Sequence, residues 1–257
     1  MRVGGDQKRP AGRPWIVGSV PDTACPPGAG CLHRATEWQN PPVSTASTRR
    51  APPRNPPAER VPAAVPGEIR LIGGRWKRSK LPVADHPGLR PTPDRVRETL
   101  FNWLGQELAG WRVLDAFAGT GALGFEAASR GAAEVLLLEH DQRLALHLQT
   151  ASARLGATVV RVVRADALAW MGRREVANLD LVLLDPPFGA DLFDAAVRAA
   201  LPLLNPEGWL YLEADRAFDE AACAAWGCRL HRHGRAGLVH FHLLQRNNLP
   251  APDYTGA

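Results

Sequence analysis

Cysteine is scarce in this chain: four in 257 residues, Cys25, Cys31, Cys223 and Cys228. A chain this long with so few cysteines is not a disulfide-stapled scaffold. Long apolar runs are missing too. No stretch approaches the roughly 18 to 20 apolar residues that cross a bilayer. The first 20 residues lack the continuous apolar core of a secretion signal. No membrane partner and a cytoplasmic location are therefore expected. Metal-ligand spacing is also absent. Cys223 with CRLHRH (228–233) is a faint cluster, but its spacing matches no usual ligand pair, and a short surface strand explains it better. No metal is expected.

What is present is asymmetric. The net charge of +5 hides three segments. Residues 1–66 hold 9 basic and 4 acidic residues, 67–97 hold 8 and 3, and 98–257 hold 14 and 19. The positive charge is N-terminal and rides on an acidic body, which suits a polyanion partner. Residues 1–66 also carry 13 of the 23 prolines and no apolar period. Such a segment cannot bury enough surface to offset its ordering entropy. It reads as a disordered Pro/Arg-rich tail, or as an artefact of a start placed too early. After Met1 the next methionine is Met171, so a later start would need a non-ATG codon, at Val61 or Val65 for example.

Residues 67–89 read as a basic hairpin, two short strands around Gly73-Gly74. Arg70, Arg75, Lys77, Arg78 and Lys80 decorate it, with Trp76 among them, a mixture suited to phosphates and an unstacked base. The plain alternative is an edge hairpin protected from aggregation by charge. In RPTPDRVRETLFNWL (90–104), Thr92 is placed to cap a helix, with Pro93 at its first position and Asp94 in its first turn. Val96, Leu100 and Leu104 share one face of that helix. From residue 112 strands and helices alternate, which predicts a mainly parallel sheet covered on both faces. A domain over 90–247 and a C-terminal tail over 248–257 complete the expected organisation.

Three motifs carry chemistry. VLDAFAGTGALG (113–124) places Asp115, Ala118, Gly119, Gly121 and Gly124 between a strand and a helix. The glycines let the backbone turn sharply and approach a ligand closely; the ligand can be a dinucleotide pyrophosphate or the methionine portion of S-adenosylmethionine. Glu139 ends the second strand, 24 residues after Asp115, where an acid accepts from ribose hydroxyls. Asp166 ends the third and is placed to receive an adenine amine. In LVLLDPPFGA (181–190) the fourth strand stops on Asp185. Pro186 and Pro187 stiffen the turn. The Asp185 carboxylate and the Pro186 carbonyl are two acceptors suited to an exocyclic amine, and Phe188 offers a face for a base. The plain alternative is a cis-proline turn with a packed ring.

DPPF, with DAFAGTGALG ahead of it, resembles the signature of S-adenosylmethionine-dependent amino-methyltransferases. IRLIGGRWKRSKL and RPTPDRVRETLFNWL narrow the resemblance to the bacterial RsmD-type family, which methylates the N2 amine of a guanine in 16S rRNA. The resemblance covers about 67–247. It implies a Rossmann-like class I methyltransferase fold, α/β, with a seven-stranded sheet whose last strand is antiparallel. It further implies S-adenosyl-L-methionine held by Asp115, Gly119, Gly121, Glu139 and Asp166, and the guanine amine set against Asp185 and Pro186 with Phe188 stacked on the base. Arg90, Thr92 and Arg95 are implied near cofactor or RNA. A monomer is expected, and the implied partner is 16S rRNA, naked or within the assembling small subunit. Other readings are a DNA or RNA adenine/cytosine amino-methyltransferase, a nicotinamide-dependent oxidoreductase, and a non-catalytic RNA-binding protein.

Overall fold

The computed structural model describes residues 67–84, 86, 92–188 and 192–247. The expected tails and Arg90 lie outside them. Strands β1 (Glu68–Arg70) and β2 (Lys80–Pro82) pair antiparallel, with Ile69 opposite Leu81. Helix α1 (Asp94–Trp103) follows. Then come β3 (Arg112–Asp115), α2 (Ala122–Ser129), β4 (Glu134–Glu139), α3 (Gln142–Leu155), β5 (Val160–Arg164), α4 (Ala167–Gly172) and β6 (Leu179–Leu184). The chain ends in α5 (Phe193–Ala200), β7 (Leu204–Ala214), α6 (Glu220–Ala225), β8 (Cys228–Ala236) and β9 (Val239–Arg246).

Seven strands form one sheet in the order β5-β4-β3-β6-β7-β9-β8. Only β9, the last in sequence, runs against its neighbours. The inner strands are apolar on both faces, as buried parallel strands must be: all six residues of β6 are buried. One apolar layer joins the sheet to α1, α2 and α3 through Val113, Leu137, Leu183 and Phe241. The opposite layer joins it to α4, α5 and α6 through Leu114, Leu138, Leu184 and Leu212. The boundaries of α3 follow from local chemistry. Asp141 accepts from the Arg143 and Leu144 N–H groups at its start, and Gly156 closes it with φ +59.

Helix α2 is buried on every side. Its outward face is covered by segment 71–79, and a buried carboxylate does the anchoring. Glu126 accepts from the Ile72 and Gly73 N–H groups, each at 2.8 Å. It also pairs with Arg130 at 2.8 Å and faces buried Arg97 at 3.5 Å. Arg97 reaches on to the Arg70 carbonyl at 3.0 Å and to Asp94. Two details differ from expectation. Gly73-Gly74 is not a tight hairpin turn: it lies against the end of α2, and β2 begins only at Lys80. Thr92 does not cap α1; Pro93 holds that position without a side-chain bond, because the Thr92 hydroxyl is spent on Glu213.

Candidate active site

A cavity of about 710 Å³ opens where β3, β4, β6 and β7 end. Ligands of open α/β sheets bind at such carboxyl ends. Asp115, Ala118, Gly119, Glu139, Asp166, Asp185, Pro186 and Phe188 all line it, so the structure brings most of the sequence-derived residues together. Gly119 and Gly121 are both left-handed, φ +49 and +76, which lets the loop fold back over β3. Gly124 serves packing instead: a Cβ there would lie 2.2 Å from the Leu137 side chain.

The acids are held in different ways. Asp115 is buried and accepts from the Gly124 N–H at 3.0 Å. Burial pushes its carboxyl up to about 7; the Gly124 hydrogen bond opposes this, and nearby Asp185 and Glu139 add to it. Glu139 bridges two loops, accepting from Gly119 N–H at 2.9 Å and Asp141 N–H at 2.8 Å. Asp166 lies two residues beyond β5 and caps α4, accepting from the Ala169 N–H at 2.8 Å.

Glu213 was not singled out by sequence reasoning. It stands at the end of β7, only 2% exposed, and accepts from the Tyr211 hydroxyl at 2.9 Å. Burial, then the neighbouring Asp185, holds its carboxyl well above the usual range. The signal was available: LYLEAD is another apolar strand ending on a carboxylate, the pattern that marked Asp115, Glu139 and Asp185.

Asp115, Glu139, Asp141, Asp166, Asp185 and Glu213 line the cavity; among the described residues no lysine or arginine does. A pyrophosphate would meet six carboxylates, with the imidazoles of His86 and His140 as the basic side chains of the lining and His86 already 3.7 Å from Asp141. A cationic ligand would be drawn in.

The DPPF turn contains no cis peptide bond. Pro186 is buried, and Phe188 is 41% exposed rather than packed away, its ring centroid 6.5 Å from that of Phe193.

The basic residues divide. Arg70, Arg75, Lys77, Arg78 and Lys80 are exposed, but none lines the cavity. Lys80 pairs with Glu68 at 2.6 Å, and Arg75 lies against Trp76. The Arg75 N–H donates to the Ser129 carbonyl at the far end of α2, about 10 Å along the helix from the glycine loop. Arg95 instead faces Arg235 and Gly234 of β8 across a shallow depression. Cys223 and Cys228 are buried free thiols, and no metal-binding group of three or more His, Cys, Asp or Glu exists among the described residues. Strand β8 is longer than the short surface strand expected there, with Cys228 inside the core. No helix among the described residues is long and apolar enough to cross a membrane.

The sheet order, the reversed last strand and the cavity at the strand ends define a Rossmann-like class I methyltransferase. Residues 69–245 match the family model described as Conserved hypothetical protein 95, and the chain belongs to that family, the RsmD family. It is 42% identical over 187 residues to "Ribosomal RNA small subunit methyltransferase D" of Escherichia coli K12, covering 70% of this chain and 91% of that one. It is 36% identical over 184 residues to the protein of the same name from Haemophilus influenzae, covering 70% and 94%. The solved structure titled "Putative methyltransferase yhhF from Escherichia coli" superposes with a TM-score of 0.62 at 40% identity, covering 70% of this chain and 99% of that one.

Proposed function

We propose that this methyltransferase uses S-adenosylmethionine to methylate the exocyclic N2 amine of a guanine in 16S rRNA. The carrying observation is a cavity lined by six acids and, among the described residues, by no lysine or arginine, which favours a cationic cofactor over a dinucleotide. The relatives' name supplies the RNA. When bound, the cofactor supplies a methyl group activated by its sulfonium charge. Asp115, Ala118 and Gly119 form the wall for its methionine part, with Gly121 turning the loop behind them without lining the cavity, Glu139 takes the ribose, and Asp166 takes the adenine amine.

Asp185 and the Pro186 carbonyl receive the two hydrogens of the guanine amine. That amine is a poor nucleophile, because its lone pair is delocalised into the ring. Two acceptors on its hydrogens favour a pyramidal nitrogen and aim the lone pair at the methyl group. They also stabilise the positive charge that develops there. Phe188 holds the base by its face, which requires the guanine to leave its stack.

The test is transfer of labelled methyl from S-adenosylmethionine to 16S rRNA, naked and in assembled small subunits, followed by nucleoside analysis. N2-methylguanosine is expected from the wild type. Asp185→Ala should lower the rate by about 10²–10³. Label in adenine, or in DNA alone, would discard the guanine-N2 rRNA assignment. Cofactor binding with no transfer to any nucleic acid would favour a binding role.

A further inference from the structure

The cavity is acidic, yet the surface beside it is not. Residues 228–246 contain Arg229, Arg232, Arg235 and Arg246 and no Asp or Glu. They form β8 and β9, joined by the two-residue turn Gly237-Leu238. Glycine at the first turn position, φ +64, fits the tight primed turn that such a hairpin requires. Val239, directly after the turn, lines the active-site cavity, so this end of the hairpin stands at its mouth. Leu238 is 73% exposed there.

Strand β8 is the sheet edge, with Arg229, Arg232 and Arg235 exposed along it. Charges on an edge discourage strand pairing, but lysine, arginine or glutamate would all serve that purpose. An edge with arginine only selects for an anion. Arg235 is pinned by its own turn, Nε donating to the Gly237 carbonyl at 2.8 Å. Arg95, from the first turn of α1, lines the same depression with Thr99. No carboxylate among the described residues forms an ion pair with Arg95, Arg232 or Arg235. Arg95 and Arg235 thus both line one small depression that no acid among the described residues lines, a setting suited to a phosphate.

We propose that the β8–β9 edge, completed by Arg95, is an RNA-binding surface that holds the backbone flanking the target base. This rests on the proposed function for the identity of the polyanion. It would explain how an acidic cavity receives a polyanion: the phosphates rest on the arginine edge while the base alone enters among the carboxylates.

The test compares Arg232→Gln/Arg235→Gln with wild type in binding to naked 16S rRNA and to assembled small subunits across a salt series, and in KM for methyl transfer to each. The double variant should raise the RNA KM about tenfold and lower the slope of log affinity against log salt by roughly 0.7–0.9 per lost contact. Its dissociation constant for S-adenosylmethionine should not change, and Arg235→Lys should retain most of the salt slope. An unchanged slope and KM would overturn the proposal. So would a loss confined to assembled subunits, which would mark an acidic protein as the partner. If wild type binds RNA through this edge yet transfers no methyl, the surface stands and the proposed function falls.

Discussion

β1–β2 and β8–β9 are both arginine-bearing antiparallel hairpins, and they are anchored by different physics. The N-terminal one is held through its connection. Segment 71–79 lies on α2, and buried Glu126 receives two of its backbone N–H groups together with Arg97 and Arg130. Arg75 and Lys77 of its connection lie by Ser129, at the end of α2 away from the cavity. The C-terminal hairpin is held by the main sheet ladder and by the imidazole of His242. That ring accepts from the Phe218 N–H at 3.0 Å, so its other nitrogen is the one that donates to the Leu212 carbonyl at 3.3 Å. Its turn stands at the cavity mouth. Charge density in sequence marks the first hairpin; position relative to the cavity favours the second.

The largest expected effect breaks the first anchor. Glu126→Ala removes the buried carboxylate shared by Arg130, Arg97 and the Ile72 and Gly73 N–H groups, with Asp94 still paired to Arg97, and should cost about 3–5 kcal/mol in urea unfolding. Hydrogen exchange should rise over 68–83 and stay unchanged over 228–246. If exchange rises equally in both, the hairpins are not independently anchored.

Next come two glycines. A Cβ at Gly74 would lie 1.8 Å from the Ser129 carbonyl oxygen, at φ +70, whereas one at Gly234 would lie 2.4 Å from the Phe241 ring. Overpacking costs roughly 1–3 kcal/mol. Gly74→Ala should exceed Gly234→Ala in thermal denaturation, since backbone yields less than a ring. The reverse order would show that segment 71–79 is the looser contact.

A smaller effect is the acid lability of the second anchor. Burial holds His242 down to about 4, from an ordinary 6.5. The unfolded chain then binds more protons between these values. The contribution is present above about 6.5 and is lost as pH falls toward 4, about 1–2 kcal/mol between pH 7 and pH 5. His242→Gln should flatten that part of the stability profile. The smallest effect is on RNA. Lys77→Gln/Arg78→Gln should change the RNA KM by about threefold or less, below the Arg232/Arg235 pair, if proximity to the cavity governs binding. A larger effect at Lys77/Arg78 would return the dominant RNA contact to the N-terminal hairpin.

Much of the fold was legible because its signals are local. Short apolar runs such as VLLL and LVLL, each closed by a carboxylate, suit strands buried on two faces, and Gln142–Leu155 is bounded by a capping aspartate and a glycine. The six-residue helices α4 and α6 hold too little periodicity to register in the sequence. The four candidate acids of the cavity, Asp115, Glu139, Asp166 and Asp185, follow one rule, a strand that ends on a carboxylate. Glu213 obeys that rule and was passed over.

By itself, then, the sequence determined the alternation of elements, the glycine loop, the DPPF turn and the family to which the chain belongs, because each is written in neighbouring residues. Only the tertiary structure decided where charge and burial coincide. It gathered six acids from separate loops and strand ends into one cavity. It spent Thr92 on a carboxyl about 120 residues away, turned Glu126 inward under segment 71–79, and brought Arg95 to the edge of β8. Those outcomes depend on which faces the packed layers turn toward each other, and sheet order and helix docking set that geometry.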